Sequence, residues 1–191
     1  MATRRFDPDR RDRIIDAALD VIAARGVAGT SHRRIAERAG VPLGSMTYHF
    51  TSMDQLLGEA FRRFADTGAD GFEVRLGTAA NAGAARQAVV DLIHADLLDS
   101  RRDLVLTLEL YTLAAREPVF RQITRDWMSR SRHALERHFD PVTSRMLDAL
   151  IEGHFIHAAL DTEPHDRSVT VDAVNRITAV PPSPHDSPRK L

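Results

Sequence analysis

Apolar side chains recur at every third or fourth position through most of this 191-residue chain, and no segment alternates apolar and polar residues as a half-buried β-strand does. That spacing places the apolar residues on one face of a helix. With 43% hydrophobic residues, the chain has enough of them to bury these faces against one another. The sequence therefore predicts an all-α fold.

Capping residues, glycines and prolines divide this pattern into separate helices. Asp7 and Pro8 are predicted to open the first helix, which Gly26 ends, and Ser52 is predicted to cap a long fourth helix. The tail 181–191 is rich in proline and is predicted to be disordered. The other helices are predicted at residues 32–39, 42–49, 84–98, 102–116, 120–135, 141–163 and 167–179.

Charge is distributed unevenly along the chain. Nine arginines against six acidic residues give residues 1–51 a net charge of +3, whereas the remaining residues carry −4. A basic segment joined to an acidic body favours a local surface for an anion such as the DNA backbone. A solvated, arginine-rich helix face has the same composition, so charge alone leaves both interpretations open.

The composition excludes several classes of function. The chain has no cysteine, which rules out disulfides, thiolate zinc sites and a cysteine nucleophile. Residues 1–5 contain no apolar core and the most apolar stretch, 104–115, is too short to span a bilayer, so we expect a cytoplasmic protein without membrane contact. No nucleophile elbow, phosphate loop or His-Glu-x-x-His motif occurs, so we expect neither an enzyme nor a bound cofactor, and a helical enzyme is only a remote alternative.

Residues 30–50 are the most informative segment. Two short predicted helices are joined at residues 39–41, where Gly40 supplies the tight turn of a helix-turn-helix. An ordinary helical hairpin of a bundle would show the same spacing. In the DNA-binding interpretation, the second helix offers small and polar side chains to a base-pair edge, namely Gly44, Ser45 and Thr47.

The same segment resembles the N-terminal signature of the TetR-type bacterial transcriptional regulators. That signature combines a helix-ending glycine, a threonine or serine cap, an Ile-Ala pair, an Ala-Gly-Val turn and a Tyr-His-Phe end, which makes it much more specific than a helix-turn-helix alone. The matching residues of this chain are Gly26, Thr30, Ser31, Ile35, Ala36, Ala39, Gly40, Val41, Gly44, Ser45, Tyr48, His49 and Phe50.

The resemblance implies a helix-turn-helix DNA-binding domain at residues 1–51, a helical ligand-binding and dimerisation domain at 52–180, and the disordered tail at 181–191. It implies a homodimer that binds a palindromic operator in double-stranded DNA, acts as a repressor and responds to a small-molecule inducer. The residues expected to contact DNA are Thr30, Ser31, His32, Arg33, Arg34, Leu43, Gly44, Ser45, Thr47, Tyr48 and His49.

The chain departs from the family pattern at four positions. Thr47 stands in place of a tyrosine, Thr51 and Met53 in place of frequent lysines, and Val27 in place of an aromatic residue. These changes remove phosphate contacts and leave the scaffold intact. They keep one alternative function open, a helical small-molecule-binding protein whose DNA-binding part has weakened.

An inducer pocket is predicted around a carboxylate. Glu109 lies within an apolar helix, where a buried carboxylate needs a partner, either a polar or cationic group of the ligand or an arginine of the bundle. The helix that begins at Ser52 is predicted to be the only continuous rigid link to the DNA-binding part, so a ligand would act by tilting it. The predicted pocket residues are Phe61, Phe64, Leu106, Glu109, Leu113 and Trp127.

The last two helices are predicted to form the dimer. Their apolar faces, around residues 147–159 and 169–177, exceed what one surface-packed helix needs, and Gly153 would allow close approach in a four-helix interface. The same region contains His154, His157 and Asp161, whose spacing on one helix face could seat a divalent metal. Packing or surface histidines explain that spacing better, so we expect no metal site.

Overall fold

The structure of the protein is a computed structural model that describes residues 9–96, 101–162 and 166–179. The described residues form helices, turns and bends without a strand, which confirms the all-α prediction. Within these ranges, no helix combines the length and apolar character that crossing a bilayer requires. The helices are α1 (Arg10–Arg25), α2 (His32–Ala39), α3 (Gly44–His49), α4 (Met53–Gly77), α5 (Ala82–Asp91, followed by a π-helical turn Leu92–Asp96), α6 (Arg101–Arg116), α7 (Pro118–Leu135), α8 (Pro141–Leu160) and α9 (Arg167–Ile177).

Most helix ends follow the start and stop signals in the sequence. The Ser31 hydroxyl accepts a hydrogen bond from the Arg34 amide at 3.4 Å, and the Ser52 hydroxyl accepts one from the Gln55 amide at 3.1 Å. Gly40 ends α2 in the left-handed conformation, with φ of +64°. Helix α1 begins after Asp9, whose side chain makes no capping hydrogen bond. The predicted opening at residues 7–8 and the predicted disorder of 181–191 lie outside the described residues.

Two hydrophobic clusters fill the interior. The first joins α1, α2 and α3 to the first half of α4 and, through residues such as Leu106, Leu110 and Phe120, to α6 and α7. The second joins the end of α4 to α5, the end of α7, α8 and α9. The first three helices, called here the N-terminal unit, therefore share a continuous core with the helical body. The domain boundary predicted near Thr51 stays a prediction.

The inward faces of the later helices mostly follow the helical spacing. In α7 the helical spacing predicts an inward face through Phe120, Ile123 and Leu135, and all three residues are buried. In α8 the same spacing predicts Met146, Leu147 and Ile151 to point inward; Leu147 and Ile151 are buried, but the prediction is wrong for Met146, which is 51% exposed. Because α8 is apolar on more than one face, residue type alone does not decide which face the chain itself covers.

Candidate functional site

The turn between α2 and α3 is held by local bonds and by buried apolar side chains. The Val41 amide donates to the Ala36 carbonyl at 3.0 Å across the left-handed Gly40. Ile35 of α2 and Met46 of α3 are both fully buried in the first cluster. This packing fixes α3 against the rest of the N-terminal unit and leaves its opposite face to solvent.

The outward face of α3 and the turn before it carries a large side chain at each end and small ones between. Leu43 is 54% exposed and Tyr48 is 74% exposed, and Gly44 and Thr47 are exposed as well. A Cβ atom added at Gly44 would meet no atom within 4 Å. Such a face can approach base edges closely in the major groove of B-DNA, which is wide enough to admit an α-helix.

Three of the residues predicted to contact DNA use their hydroxyls or their position to build the scaffold. Ser45 lies beside Met46 on the inward side of α3 and is only 7% exposed, so the prediction that it faces a base edge is wrong. The Thr30 hydroxyl donates to the Gly26 carbonyl at 2.9 Å. The Ser31 hydroxyl caps α2, as described above. The Thr30 hydroxyl therefore stabilises the end of α1, and the Ser31 hydroxyl stabilises the start of α2.

The basic residues of the N-terminal unit differ in how freely they reach solvent. The Arg33 side chain is 82% exposed and pairs with Glu37 at 2.9 Å, whereas Arg34 is bonded to the Gly29 carbonyl at 2.6 Å. The Nε2 atom of His32 is buried and finds no hydrogen-bond partner in the described part of the chain. Partial burial, together with Arg10 and Arg11, lowers the pKa of His49, so this ring is mostly neutral near pH 7.

A cavity of about 600 Å³ opens between α4, α6, α7 and α8. This volume lies within the range of about 300–1,000 Å³ that is typical of pockets for small organic ligands. Aromatic side chains contribute to its walls, namely Phe64, Phe72, Tyr111, Trp127 and Phe155.

Two acidic side chains of α8 face this cavity one helical turn apart. The hydroxyl of Tyr111 lies 2.8 Å from both carboxylate oxygens of Glu152 and donates to that group. Asp148 accepts a hydrogen bond from Arg132 at 3.2 Å. Burial raises the pKa of Glu152, and the neighbouring Asp148 raises it further, against the opposing hydrogen bond from Tyr111. Burial also raises the pKa of Asp148, although Arg132 opposes the shift.

Four of the six predicted pocket residues lie elsewhere, and only Phe64 and Trp127 line this cavity. Phe61 is fully buried and packs edge-on against Phe120, with ring centroids 6.0 Å apart. Leu106 and Leu113 belong to the cluster that α6 shares with α1. A different stripe of α6, with Thr107 and Tyr111, faces the cavity. The carboxylates that were missed, Asp148 and Glu152, are signalled only by their four-residue spacing within the mostly apolar middle of α8.

Glu109 has a role that the sequence did not suggest. One of its carboxylate oxygens accepts a hydrogen bond from the Val27 amide at 3.1 Å, and its side chain lies directly against Gly26. Gly26 has φ of +68°, and a Cβ atom there would lie 2.6 Å from a Glu109 oxygen. Among the described residues, the partner of Glu109 is therefore a backbone amide just after α1, and not an arginine.

Ion pairs also connect the cavity wall to the N-terminal unit. Arg63 of α4 lines the cavity and pairs with Asp12 and Asp16 of α1. Arg102 of α6 lines it too and bonds to Asp20 at 3.1 Å, and Asp20 in turn bonds to Arg38 of α2 at 2.7 Å. Burial opposes ionisation of Asp20, but the two arginines outweigh it and lower its pKa. Helix α6 is therefore a second connection to the N-terminal unit, made by side-chain contacts, beside α4, which was predicted to be the only continuous rigid link.

The residues that the structure describes contain no group of three histidine, aspartate or glutamate side chains placed to hold a metal ion. The predicted alternative set of His154, His157 and Asp161 is accordingly not brought together as such a group. Asp161 follows the end of α8, where its amide donates to the His157 carbonyl at 2.7 Å.

Comparison with known protein families supports this description of the N-terminal unit. Residues 14–60 match the family described as bacterial regulatory proteins, tetR family. The HTH-type transcriptional repressor KstR2 of Mycolicibacterium smegmatis is 40% identical to the chain over 57 residues, which are 30% of this chain. The match spans only 28% of the length of that curated relative. The residues matched by the family include the whole helix-turn-helix, α2 and α3.

Solved structures are similar over nearly the whole chain. SCO7518 from Streptomyces coelicolor A3(2) is 60% identical, with a TM-score of 0.84 over 91% of this chain and 100% of that one. SCO1917, a TetR family member from Streptomyces coelicolor A3, is 32% identical, with a TM-score of 0.73 over 91% and 100%. The multidrug binding protein EbrR complexed with ethidium is 32% identical, with a TM-score of 0.76 over 90% and 99%. The similarity therefore includes the helical body as well as the N-terminal unit.

Proposed function

This chain belongs to the TetR family of bacterial transcriptional regulators, and from that premise we propose that it is a homodimeric repressor that leaves its operator DNA when a small molecule fills the cavity of the helical body. The single observation that carries the proposal is the outward face of α3. A short helix is locked from behind by Met46 and presents Leu43, Gly44, Thr47 and Tyr48 to solvent.

The contact with DNA is proposed to have two parts. The exposed face of α3 would enter the major groove and contact base edges, while Tyr48 and Arg33 would contact phosphates on either side. Arg33 is well suited to this role because its only fixed partner in the described residues is the exposed Glu37 of the same helix. Ser45 is not part of the proposed contact surface.

The proposed dimer uses an exposed apolar stripe along α8. The stripe follows alternating steps of four and three residues, which is the heptad spacing of helices that pack side by side. Its two central positions are small, and a Cβ atom at Gly153 would meet nothing within 4 Å, which would let a second helix approach closely. The stripe consists of Val142, Met146, Ala149, Gly153, Ile156 and Leu160. In α9, Val169 and Val171 are also exposed and would extend the same interface.

The cavity is the proposed inducer site because its wall is bonded to the N-terminal unit. A molecule that displaces Trp127, Arg63 or Arg102 would shift α4 and α6, which contact α1 through the shared core and through the pairs with Asp16 and Asp20. In a dimer, such a shift changes the separation of the two α3 helices. Half-sites lie about 34–36 Å apart on DNA, so only one separation fits both. EbrR, a multidrug binding protein of similar structure that has been crystallised with ethidium, supports a small-molecule site in this chain.

The experiment that tests the function is a binding assay with the DNA upstream of the protein's own gene. Submicromolar protein should shift the electrophoretic mobility of a palindromic segment from that region, and it should not shift that of a scrambled segment. Exchange of Tyr48 for alanine should weaken the shift, while exchange of Val74, an exposed residue of α4 outside the N-terminal unit, should leave it unchanged. Genomic selection of bound fragments would extend the test to operators elsewhere.

The alternative function, a small-molecule-binding protein with a weakened DNA-binding part, makes the opposite prediction. It requires ligand binding without any sequence-specific shift at micromolar protein in low salt. Finding no selected DNA sequence in that assay would exclude the repressor function and leave this alternative.

A further inference from the structure

Glu152 is the one carboxylate of the cavity wall to which the described residues offer no cation. Elsewhere along the wall, charges pair with opposite charges: Arg63 with Asp16 at 2.9 Å, and Arg102 with Asp20 at 3.1 Å. Asp148 is bonded to Arg132. By contrast, the partner of Glu152 is the neutral hydroxyl of Tyr111. Within the part of the chain that the structure describes, the Glu152 carboxylate therefore faces the cavity without an ion-pair partner.

An uncompensated carboxylate in a mostly buried position is unfavourable, because a charge loses its hydration there without gaining an ion partner. Tyr111 reduces this cost only in part, since one hydroxyl has a single proton to share between the two carboxylate oxygens. A positive charge brought by a ligand would remove the remaining cost and form a pair that water screens weakly. The arrangement is thus unfavourable when empty and improved by a cation.

The rest of the wall suits the apolar body of such a cation. Trp127 and Phe64 meet edge to face with ring centroids 5.6 Å apart, and Tyr111 and Phe155 line the same space. Aromatic faces attract cations as well as apolar groups. Gly68 gives room for the Trp127 ring, because a Cβ atom at this position would lie 3.1 Å from it. The wall can therefore hold a bulky hydrophobic ion rather than a hydrated one.

We propose that the ligand of this cavity is a lipophilic organic cation, an ammonium or similar centre on an aromatic or apolar body, with the Glu152 carboxylate as its charge partner and Tyr111 as the group that positions this carboxylate. The proposal rests on the proposed function for the choice of cavity and adds the chemical class of the ligand.

The test compares two probes of nearly the same size and shape and opposite charge, tetraphenylphosphonium and tetraphenylborate. Isothermal titration calorimetry of the full chain should give tighter binding of the phosphonium, by about tenfold or more, because the buried charge favours one sign. Binding should also change the fluorescence of Trp127, the only tryptophan of the chain, which places the probe in the cavity. Tighter binding of tetraphenylborate would overturn the proposal.

Exchange of Glu152 for glutamine keeps the shape of the side chain and an acceptor for Tyr111 while removing the charge. It should weaken phosphonium binding about tenfold or more and leave borate binding equal or improved. Glu136→Gln is the matched control, since it removes the same charge at an exposed position after α7 and should change neither. Because Glu152→Gln removes an unfavourable buried charge, its melting temperature should equal or exceed that of the wild type, which excludes misfolding as the cause.

The pH dependence provides a second readout. Burial raises the pKa of Glu152, so its charge is lost as the pH falls through this raised value. Phosphonium affinity of the wild type should therefore increase with pH through that range and then level off, with a weaker rise in Glu152→Gln. The other ionisable groups around Glu152 and along the wall are Tyr111, Asp148 with Arg132, Asp16, Arg63, Arg75, Arg102 and Asp103. Of these, Asp148 also has a raised pKa and accounts for the residual slope in the variant.

The results separate this proposal from the proposed function. If phosphonium binds through Glu152 but never releases any DNA, the ligand class stands and the repressor function falls. If Glu152→Gln binds the phosphonium as tightly as the wild type, the ligand class falls, whatever the operator assay gives.

Discussion

The N-terminal unit and the cavity satisfy their polar groups in opposite ways. In the N-terminal unit, Thr30 and Ser31 are bonded to backbone groups, and Asp20 is held by two arginines. In the cavity, the partner of Glu152 among the described residues is neutral, and burial raises the pKa of Glu152. A region whose polar groups are mostly paired within the chain keeps one shape, and its outer face can then match a fixed target such as DNA. The proposed cationic ligand would supply the charge partner that Glu152 lacks.

The largest effect should come from breaking the proposed dimer. Each chain would stay folded, but its N-terminal unit would bind a half-site alone. Met146→Glu together with Ile156→Glu places charges in the exposed stripe of α8 and should give a monomer by light scattering. Losing the second half-site contact should reduce operator affinity roughly 10²- to 10⁴-fold. Val74→Glu, which places one such charge at an exposed site of α4 outside the stripe, is the control. A stable dimer in the double variant would reject this interface.

The next largest effect concerns Gly26, where the N-terminal unit touches Glu109 of α6. Gly26→Ala forces a side chain into a left-handed conformation and against the Glu109 carboxylate, and should destabilise the protein by about 1–3 kcal/mol in urea unfolding. Gly58→Ala is the matched control, because a Cβ atom there meets nothing within 4 Å and alanine favours the helix interior. If Gly26→Ala and Gly58→Ala were equally stable, a methyl group at Gly26 would fit beside Glu109 without strain, against this prediction.

Most of the N-terminal unit could be predicted because its determinants are local. Gly40 and the hydroxyl of Ser31 act within a few residues of their own position, so the sequence indicates the α2 start, the turn and α3 together. Ser45 was placed on the wrong face because α3 is only six residues long. In so short a helix, small size alone does not distinguish an outward from an inward residue.

The cavity could not be predicted because its determinants are tertiary. Residues 104–115 of helix α6 place apolar side chains on more than one face, so the sequence does not decide whether the stripe through Leu106 or the one through Thr107 faces a pocket. The choice depends on where α1 packs, since Leu106 and Leu110 join the cluster that includes α1. Glu109 is directed to the same side, where the Val27 amide needs an acceptor. Once α6 is oriented in this way, Tyr111 faces α8 and Glu152.

A smaller effect should follow from changing the DNA-facing surface alone. Tyr48→Ala and Arg33→Ala should each weaken operator binding by about 1–3 kcal/mol and leave the unfolding curve unchanged, because both side chains are exposed. Arg33→Ala should also lower the slope of log affinity against log salt by about one, as expected for one lost phosphate contact. Fluorescence anisotropy with a labelled operator at several salt concentrations measures both. Wild-type affinity in both variants would place the DNA-binding surface elsewhere.

The smallest effect should come from Glu109→Gln, which tests how the two regions communicate. Glutamine keeps an acceptor for the Val27 amide, so stability and operator affinity without ligand should change by only about 0.5 kcal/mol. The charge-assisted bond between α6 and the end of α1 is weakened, however, and a shift of α6 would then move the N-terminal unit less.

Thermodynamic linkage between ligand binding and operator binding makes the communication between α6 and the N-terminal unit measurable. A ligand that weakens operator binding must itself bind the operator complex more weakly by the same factor. We expect this factor to fall in Glu109→Gln by an amount equivalent to about 0.5–2 kcal/mol, as for residues that couple two sites without touching either ligand. Tetraphenylphosphonium titrated against free and operator-bound protein gives the factor for the wild type, for this variant and for Glu136→Gln as control. An unchanged factor would mean that α6 does not transmit the signal through this bond, and that the pairs of Arg63 with α1 carry it through α4 instead.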